Sequence, residues 1–336
     1  MVRPRLRRLS ILKAVVAVIP AILLAACATP PAPGSAACVP KALAHLAVQF
    51  LGNEPTVAVD LDGHPVTMVL DLGSQATVLA DATADRLDLA RDPSALPNIT
   101  GVGGSGTRWA ATARHMTLGG MTLSGKRMEV AQIGLGGASQ PINGAIGLDT
   151  LLRYDIDWDV PHNEVTLNAP SGCAGPPAGW ASPAATVPLR HPGGMASYRQ
   201  QSGLLLLSVA VDQRPMTALL DSGAAISLMN ADTAAALEPS GNSGDKTVRV
   251  RGAGSGSLVG TLHRFRSLTV AGYTMANPLM VVAAVPLDFG DMILGVGFMR
   301  THRAWLPAGG GRIWFGPYEP PQPAATPPAA PSGEMR

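Results

Sequence analysis

The feature that most constrains this chain is an internal repeat, in which two segments match at a constant offset of 150 residues. Residues 61–74 read LDGHPVTMVLDLGS and residues 211–224 read VDQRPMTALLDSGA, so both contain a turn, an apolar run and an Asp-x-Gly string. Apolar runs on both sides of a two-residue turn predict a β-hairpin that leads into the Asp-x-Gly loop. We therefore expect two related halves.

Further features recur in the same order in both halves. An Ala-rich stretch follows Asp81 and another follows Asn230, and each predicts a short helix with that residue as its N-cap. The next matches are Gly-rich turns at 101–104 and 252–255, and apolar-apolar-Gly strings at 145–147 and 293–295. Glycine (38) and proline (30) are frequent while aromatics make up 4%, which favours many short strands over long helices.

Asp71 and Asp221 stand at corresponding points of the repeat, each directly after an apolar run that predicts a buried strand. A carboxylate in such a place is poorly solvated, so burial alone raises its pKa. Two halves that face each other bring the carboxylates together, and such a pair shares one proton. One carboxylate can then take a proton from water while the other donates a proton to a carbonyl oxygen.

Each repeat resembles the retropepsin-like fold unit, and the duplicated chain resembles the pepsin-type aspartic proteases. Residues 221–224 (DSGA) are similar to the family motif Asp-Thr/Ser-Gly-Ala, and residues 71–74 (DLGS) are similar to Asp-Thr/Ser-Gly-Ser except at the second position. The resemblance implies an all-β, bilobal fold, with two related β-barrel lobes and short helices. It implies catalysis by Asp71 and Asp221 and support from the loop residues Gly73, Ser74, Ser222, Gly223 and Ala224.

The same resemblance implies a flap over a substrate cleft. The residues expected at the flap and cleft are Gly101, Gly103, Gly104, Trp109, Gly252 and Gly254. For Trp109, just past the first Gly-rich turn, an ordinary packed aromatic is an equal alternative. The expected activity is endopeptidase cleavage of a peptide or protein substrate, with no metal and no organic cofactor. Because one chain holds both halves, the site needs no dimer and a monomer is expected.

Leu72 departs from the family pattern. The hydroxyl that follows each aspartate in the family bonds across the axis to the opposing loop, and Ser222 can do this whereas Leu72 cannot. Two hypotheses follow. Either the site is asymmetric but active, or the first lobe has degenerated and the protein binds peptides or envelope partners in the same cleft.

The N-terminus predicts export and lipidation. Residues 1–26 combine a basic start with a short apolar run, as in signal peptides, and LAAC at 24–27 resembles a bacterial lipobox with Cys27 as the lipidated residue. An ordinary cleaved signal or an N-terminal anchor is the alternative. We expect a cell-envelope lipoprotein that is attached to the membrane through its lipid and faces the periplasm, and Ala28 favours the outer membrane.

The remaining domain boundaries follow from composition. The predicted segments are a tether at 27–44, lobes at 45–168 and 186–318, an inter-lobe linker at 169–185, and a disordered Pro/Ala tail at 319–336. Cys38 and Cys173 are left over once Cys27 is assigned, and in an oxidising compartment they are expected to pair, with two free thiols as the alternative.

Charge and motif spacing exclude other functions. The formal net charge is +2, and removing a signal with five basic and no acidic residues leaves −3, so nucleic acid is not an expected partner. The string GVGGSG at 101–106 matches a dinucleotide fingerprint by letter only, because no strand–helix context surrounds it. The seven histidines lack metal-ligand spacing, and with two leftover cysteines no metal site is predicted.

Overall fold

The structure is a computed structural model. It describes residues 39–92, 99–101, 104–106, 109–131, 142–173, 175–177, 185–188, 203–237, 244–252 and 256–323. Residues 37–336 form one compact unit. The predicted signal peptide, Cys27 and Cys38 lie outside the described residues. Within the described ranges, no helix is long and apolar enough to cross a membrane.

The described residues of the first half form thirteen strands and three short helical segments. The strands are β1 (Ala42–Ala47), β2 (Gln49–Leu51), β3 (Glu54–Leu61), β4 (His64–Leu70), β5 (Val78–Ala80), β6 (Arg91–Asp92), β7 (Ile99–Gly101), β8 (Gly104–Gly106), β9 (Trp109–Leu118), β10 (Met121–Ala131), β11 (Gly144–Ile146), β12 (Asp155–Asp159) and β13 (Glu164–Asn168). The helical segments are α1 (Asp81–Arg86), α2 (Leu148–Leu151) and a 3₁₀ turn (Val160–His162).

The second half repeats this order. Its strands are β14 (Ala185–Pro188), β15 (Leu206–Val211), β16 (Arg214–Leu220), β17 (Leu228–Asn230), β18 (Lys246–Arg251), β19 (Ser257–Arg264), β20 (Ser267–Val270), β21 (Tyr273–Ala276), β22 (Leu279–Ala283), β23 (Met292–Leu294), β24 (His302–Leu306) and β25 (Arg312–Tyr318). Its helices are α3 (Ala231–Leu237) and α4 (Val296–Met299). The all-β prediction is confirmed.

Each half forms its own curved sheet. In the first half, β3, β4, β11, β5, β10 and β9 follow one another, and β9 pairs again with β3, which closes the sheet into a barrel. In the second half, β15, β16, β23, β17, β22 and β19 follow the same order, and β20 pairs with β15. Since β20 begins three residues after β19 ends, the corresponding stretch of chain closes both lobes. The two-lobed architecture is confirmed.

A third sheet joins the halves. Its order is β1-β13-β12-β24-β25-β14, with three strands from each half. At its centre β12 and β24 run antiparallel, with Trp158 opposite Ala304 and Asp157 opposite Trp305. Trp158 and Trp305 are fully buried. A substantial apolar core thus continues between the lobes, which fixes the two halves relative to each other.

The central sheet corrects three predicted boundaries. Residues 42–44, placed in the tether by the sequence, belong to β1, and Ala185, placed in the linker, begins β14. The start of the predicted disordered tail is also ordered, since the Glu319 N–H donates to the Thr301 carbonyl and the Gln322 N–H donates to the Pro161 carbonyl. The Pro/Ala composition concealed these pairings because backbone hydrogen bonds between distant segments leave no local sequence signal.

The two predicted hairpins carry matching turns. Asp62 and Gly63 have positive φ values of 51° and 89°, and Asp212 and Gln213 have 48° and 67°. Both central residues of a type I′ turn need positive φ, which Asn, Asp and Gly favour. The Asp62 carboxylate accepts the N–H groups of the β9 residues 114 and 115, at 3.0 and 2.7 Å. Asp212 accepts the N–H groups of residues 266 and 267 in the same way. These hydrogen bonds fix the turn of each hairpin to the neighbouring segment of its sheet.

The two predicted helices begin differently. Asn230 caps α3, because its side-chain oxygen accepts the N–H groups of Asp232 at 2.7 Å and Thr233 at 3.4 Å. The prediction for Asp81 is wrong, because Asp81 is the first residue of α1 and the preceding Ala80 occupies the cap position without a side-chain bond. The Asp81 carboxylate accepts the indole N–H of Trp109 instead, at 3.0 Å.

Candidate active site

The two Asp-x-Gly loops begin at the ends of corresponding strands. Asp71 follows β4 directly, and Asp221 follows β16. The Asp71 N–H donates to the Ile146 carbonyl at 3.0 Å, and the Asp221 N–H donates to the Leu294 carbonyl at the same distance. Each aspartate is therefore fixed by the apolar-apolar-Gly strand of its own half, which runs parallel beside it.

The structure brings the two loops into direct contact. A Cβ atom added to Gly223 would lie 2.7 Å from the Asp71 carboxyl carbon, and one added to Gly73 would overlap the Asp221 carboxyl carbon. Only glycine leaves room for the opposing carboxyl at these two positions. The two carboxyl groups therefore lie against each other's loops, close enough for each to shift the pKa of the other. The paired carboxylates predicted from the repeat therefore face each other.

The environments of the two carboxyls differ. Asp71 Oδ1 accepts the N–H groups of Gly73 at 2.8 Å and Ser74 at 3.0 Å, whereas Asp221 Oδ1 accepts the Ala224 N–H at 2.9 Å. Burial raises the pKa of Asp71, and these N–H bonds and the bond from Asp221 oppose the rise. Burial also raises the pKa of Asp221, to well above its ordinary value, and the nearby negative charge of Asp71 raises it further.

This difference places the shared proton. Two backbone N–H groups bond Asp71 Oδ1 and one bonds Asp221 Oδ1, which favours the charged form of Asp71 and the neutral form of Asp221. Both residues are half-buried. An ionised and a protonated carboxyl side by side can act as a base and an acid on the same water and carbonyl.

Ser222 provides the cross-connection between the loops. Its hydroxyl oxygen accepts the Leu72 N–H at 2.9 Å and donates to the Leu70 carbonyl at 2.7 Å, and Ser222 is fully buried. Leu72 stands at the matching position of the other loop, and its side chain is 1% exposed and packed in the main core. One hydroxyl in place of two therefore joins the loops.

The Gly-rich turns lie in hairpins. In the first half, β7 and β8 pair antiparallel, with Gly101 opposite Gly104. In the second half, β18 and β19 form a longer hairpin, and Gly252 directly follows β18. Gly103 and Gly254 lie outside the described residues. After β8 the chain next forms strand β9, so no helix follows the apparent dinucleotide fingerprint.

The contacts of Trp109 are those of a packed aromatic side chain. It is half-buried, and besides its bond to Asp81 it lies under the Arg91 guanidinium, 4.3 Å from the ring centroid. It also packs against the main core. These contacts favour the packed-aromatic alternative over a cover for a substrate pocket.

The predicted disulfide is described at one end. Cys173 is disulfide-bonded. Its expected partner Cys38 lies outside the described residues, so the pairing between these two cysteines stays a prediction, as does lipidation of Cys27.

One cluster of possible metal ligands was not predicted. Asp159, His162 and Glu319 place a ligand atom each within 4.8 Å of one another. His162 Nδ1 lies 2.6 Å from Asp159 Oδ1, and Arg303 Nε lies 3.5 Å from Asp159 Oδ2. Because a guanidinium and an imidazole already occupy these carboxylates, we interpret the cluster as an ion-pair network that connects β12 with the end of β25. Glu319 lies 160 positions from Asp159 in the sequence, beyond the reach of any spacing motif.

Comparison with known proteins agrees with the geometry. A family model described as aspartyl protease matches the chain twice, at residues 57–150 and 207–298, which together exceed half of the sequence. Each match begins within the first strand of the hairpin and runs through one Asp-x-Gly loop. No curated protein matches the chain significantly.

Proposed function

The chain belongs to the aspartyl protease family, as a duplicated form with both copies in one polypeptide, and from this premise we propose that it is an endopeptidase. It hydrolyses peptide bonds with a water activated between Asp71 and Asp221. The observation that carries the proposal is that each aspartate carboxyl lies against the glycine of the opposing loop where the two halves meet. The two-fold repetition of the family match supports it.

The environments of the carboxyls assign their roles. Asp71, stabilised as the anion by two backbone N–H groups, takes a proton from the water. The oxygen of that water adds to the peptide carbonyl carbon, while Asp221 donates its proton to the carbonyl oxygen. The tetrahedral product then collapses: one of its hydroxyls returns a proton to Asp221 as the carbonyl reforms, the proton on Asp71 passes to the leaving nitrogen, and the C–N bond breaks. Proton transfers of this kind contribute roughly 10²–10⁴-fold in rate.

The same assignment sets the pH dependence. Activity needs Asp71 ionised and Asp221 protonated, so it falls when acid protonates Asp71 and again when base removes the Asp221 proton. Because the pKa of Asp221 is raised well above its ordinary value by burial and by the Asp71 charge, the alkaline limb extends above the usual carboxyl range. A bell-shaped profile with an acidic optimum is expected.

The substrate and location are part of the proposal. We infer a peptide or protein substrate in the bacterial cell envelope and a chain attached by lipid on Cys27, on the strength of the LAAC string and the export-type N-terminus. The protein acts as a monomer, because both carboxyls of the pair come from one chain.

A second candidate function is peptide or partner binding without hydrolysis. Leu72 favours it, because the loops lack one of two hydroxyl bonds between them and a looser pair would lower catalysis. The geometry of Ser222 favours the enzyme instead, since its two bonds, to the Leu70 carbonyl and the Leu72 N–H, already hold the first loop on both sides of Asp71.

A peptide-library digestion separates the two candidates. We expect the purified protein to cleave a diverse peptide library between pH 3 and 8, best at acidic pH, and the variants Asp71→Asn and Asp221→Asn to leave the library intact. Asp88→Asn is the matched control, because Asp88 is exposed and its positive φ of 49° suits asparagine. Cleavage that survives Asp221→Asn would refute the enzyme. Binding of library peptides without cleavage in the natural protein would establish the second candidate.

A further inference from the structure

A partly buried ion pair lies next to the Asp71 loop. Lys126, in the middle of β10, places its Nζ 2.6 Å from Asp149 Oδ2, at the start of α2. The Lys126 side chain is 10% exposed and the Asp149 side chain 25%. Ion pairs on the surface contribute little to stability, and burying one costs solvation, so a pair in this place calls for a role beyond stability.

Asp149 uses its second oxygen to hold Thr77. Asp149 Oδ1 accepts the Thr77 N–H at 2.8 Å and the Thr77 hydroxyl at 2.7 Å. The Thr150 hydroxyl also contacts this oxygen, at 3.3 Å, and lies 2.7 Å from the Thr77 hydroxyl. Thr77 and Thr150 are fully buried. The Asp149 carboxylate therefore accepts hydrogen bonds from both threonines. A side chain without an acceptor at this position would leave those buried donors unsatisfied.

The network connects directly to the Asp71 loop. Thr77 is the last residue before β5 and ends the loop that Asp71 begins. The Asp149 N–H donates to the Gln75 carbonyl at 3.1 Å, and the neighbouring Leu148 N–H donates to the Ser74 carbonyl at 2.9 Å. Ser74 is one of the two residues whose N–H bonds the Asp71 carboxylate. Asp149 is thus hydrogen-bonded to the end of the loop whose N–H groups stabilise the Asp71 carboxylate.

The second half has no such pair. The registers place Ser227 opposite Thr77 in the repeat, and its hydroxyl accepts the Gly295 N–H at 3.0 Å, as Thr77 accepts the Gly147 N–H at 3.3 Å. At the position of Asp149 stands Gly297, and at the position of Lys126 stands Pro278. The ion pair is therefore specific to the loop of the ionised aspartate.

We propose that Asp149, with Lys126 as its counter-ion, is a positioning residue that holds the loop from Asp71 to Thr77 in the conformation needed for catalysis. Its effect on turnover rests on the proposed peptidase function. Its effect on the loop does not, so the two are tested by separate measurements.

The first measurement is backbone hydrogen exchange of the full chain, read in the peptide that covers residues 71–78 and in the peptide that covers residues 221–228. In Asp149→Ala we expect exchange in residues 71–78 to accelerate about 10-fold or more, because the bonds to Thr77 are lost. The corresponding loop at 221–228 serves as the internal control and is expected to stay unchanged.

Two further variants separate positioning from general stability. The double variant Asp149→Asn with Lys126→Met keeps an oxygen for Thr77 and removes both charges, so exchange is expected within about 2-fold of the natural protein. Arg127→Met is the matched control, because Arg127 is the next residue of β10 and forms an exposed pair with Asp92, at 3.4 Å. It is expected to change neither loop.

The second measurement is turnover of a peptide that the natural protein cleaves. Asp149→Ala is expected to lower kcat about 10-fold with KM within about 2-fold, because a displaced Asp71 affects the reacting geometry more than substrate contacts. The double variant is expected to regain most of the loss. If Asp149→Ala does not fold, Thr77→Val is measured instead, because it removes the hydroxyl bond to Asp149 Oδ1, and selective acceleration in residues 71–78 is again expected.

Selective acceleration in residues 71–78, reversed in the double variant, supports the positioning role. Equal acceleration in both loops, or acceleration in neither, overturns it. A lower melting temperature without loop or kcat change also overturns it, because the pair would then be structural only. If the natural protein cleaves no peptide, the proposed function fails, while the exchange result still decides whether Asp149 holds the loop.

Discussion

The two Asp-x-Gly loops have the same backbone course and are held in different ways. The loop of Asp71 receives both cross-connecting bonds of Ser222 and rests on the Lys126–Asp149 pair. The loop of Asp221 supplies that serine and receives no reciprocal side-chain hydroxyl, because Leu72 occupies the matching position. The two halves therefore share one fold, but the loops that they contribute to the site are supported differently.

The structure shows which of the two loops lacks a supporting hydrogen bond. From the sequence, Leu72 marks the first loop as the defective one, since it sits beside Asp71. In the structure the Ser222 hydroxyl bonds the opposite loop, so a hydroxyl in place of Leu72 would have held the loop of Asp221. Asp71 is the better-supported carboxylate, and this agrees with its role as the anion.

The largest effect is expected from removing the serine that joins the loops. Ser222→Ala deletes two buried hydrogen bonds and leaves the Leu70 carbonyl and the Leu72 N–H without them, which should cost about 3 kcal/mol. Urea unfolding measures the loss. Ser74→Ala is the matched control, because the Ser74 hydroxyl bonds within its own loop, to the Ala76 carbonyl at 2.7 Å. Equal losses in the two variants would contradict the role of Ser222 as the connection.

Adding a hydroxyl at position 72 tests the same difference between the loops from the first half. Leu72→Val and Leu72→Thr remove nearly the same core volume, and each is expected to lose about 1–2 kcal/mol of packing. The threonine hydroxyl can reach the Asp221 loop, so Leu72→Thr should be about 1 kcal/mol more stable than Leu72→Val and have the higher kcat. A threonine variant less stable than the valine variant would mean that its hydroxyl finds no partner.

Asparagine substitutions compare the two carboxyls as charges. A carboxyl whose pKa is raised in the folded state contributes stability at low pH that is lost as the pH rises through that pKa. Asp221→Asn removes this loss, so at neutral pH it should unfold at a higher temperature than the natural protein, and the gain should vanish on acidification. Asp71→Asn should gain less, because asparagine accepts the Gly73 and Ser74 N–H bonds more weakly. Equal gains would contradict the assignment.

The smallest effect is expected where β12 meets the end of β25. The hydrogen bond to Asp159 raises the pKa of His162, although partial burial opposes the rise. The stability from protonated His162 is therefore present below its ordinary pKa and is lost as the pH rises through the raised value. The His162 side chain is 44% exposed, so solvent screens the pair and His162→Gln should cost below about 1 kcal/mol at pH 5 and nothing at pH 9. His64→Gln, at an exposed turn, is the control; a pH-independent loss in His162→Gln would contradict the ion pair.

The sequence was sufficient for features that depend on local pattern. The hairpins at Asp62 and Asp212, the strands that end at the two aspartates and the cap at Asn230 all combine turn chemistry or capping chemistry with an adjacent apolar run. The pairing of Asp71 with Asp221 followed from the constant offset of the repeat, because equal positions in two facing halves must meet near the axis.

Features that depend on distant contacts could not be predicted. The central sheet takes three strands from each half, and β1 and β14 lie in segments whose composition indicates tether and linker. Asp81 has the residue type and position of a cap, but its carboxylate bonds Trp109, a strand away. The Lys126–Asp149 pair had one available signal, the contrast with Pro278 and Gly297 at the matching positions, which becomes visible only once the strand registers are known.

The central claim is that the two halves contribute unequal carboxyls to one pair, with the shared proton on Asp221. The most direct test is a titration of the natural protein labelled with carbon-13 at the aspartate side-chain carboxyls, with signals assigned from Asp71→Asn and Asp221→Asn. On acidification from neutral pH, we expect the chemical shift of the Asp221 carboxyl carbon to show protonation first, while Asp71 stays ionised to lower pH. Protonation of Asp71 first, or of both carbons together at the ordinary aspartate pKa, would contradict it.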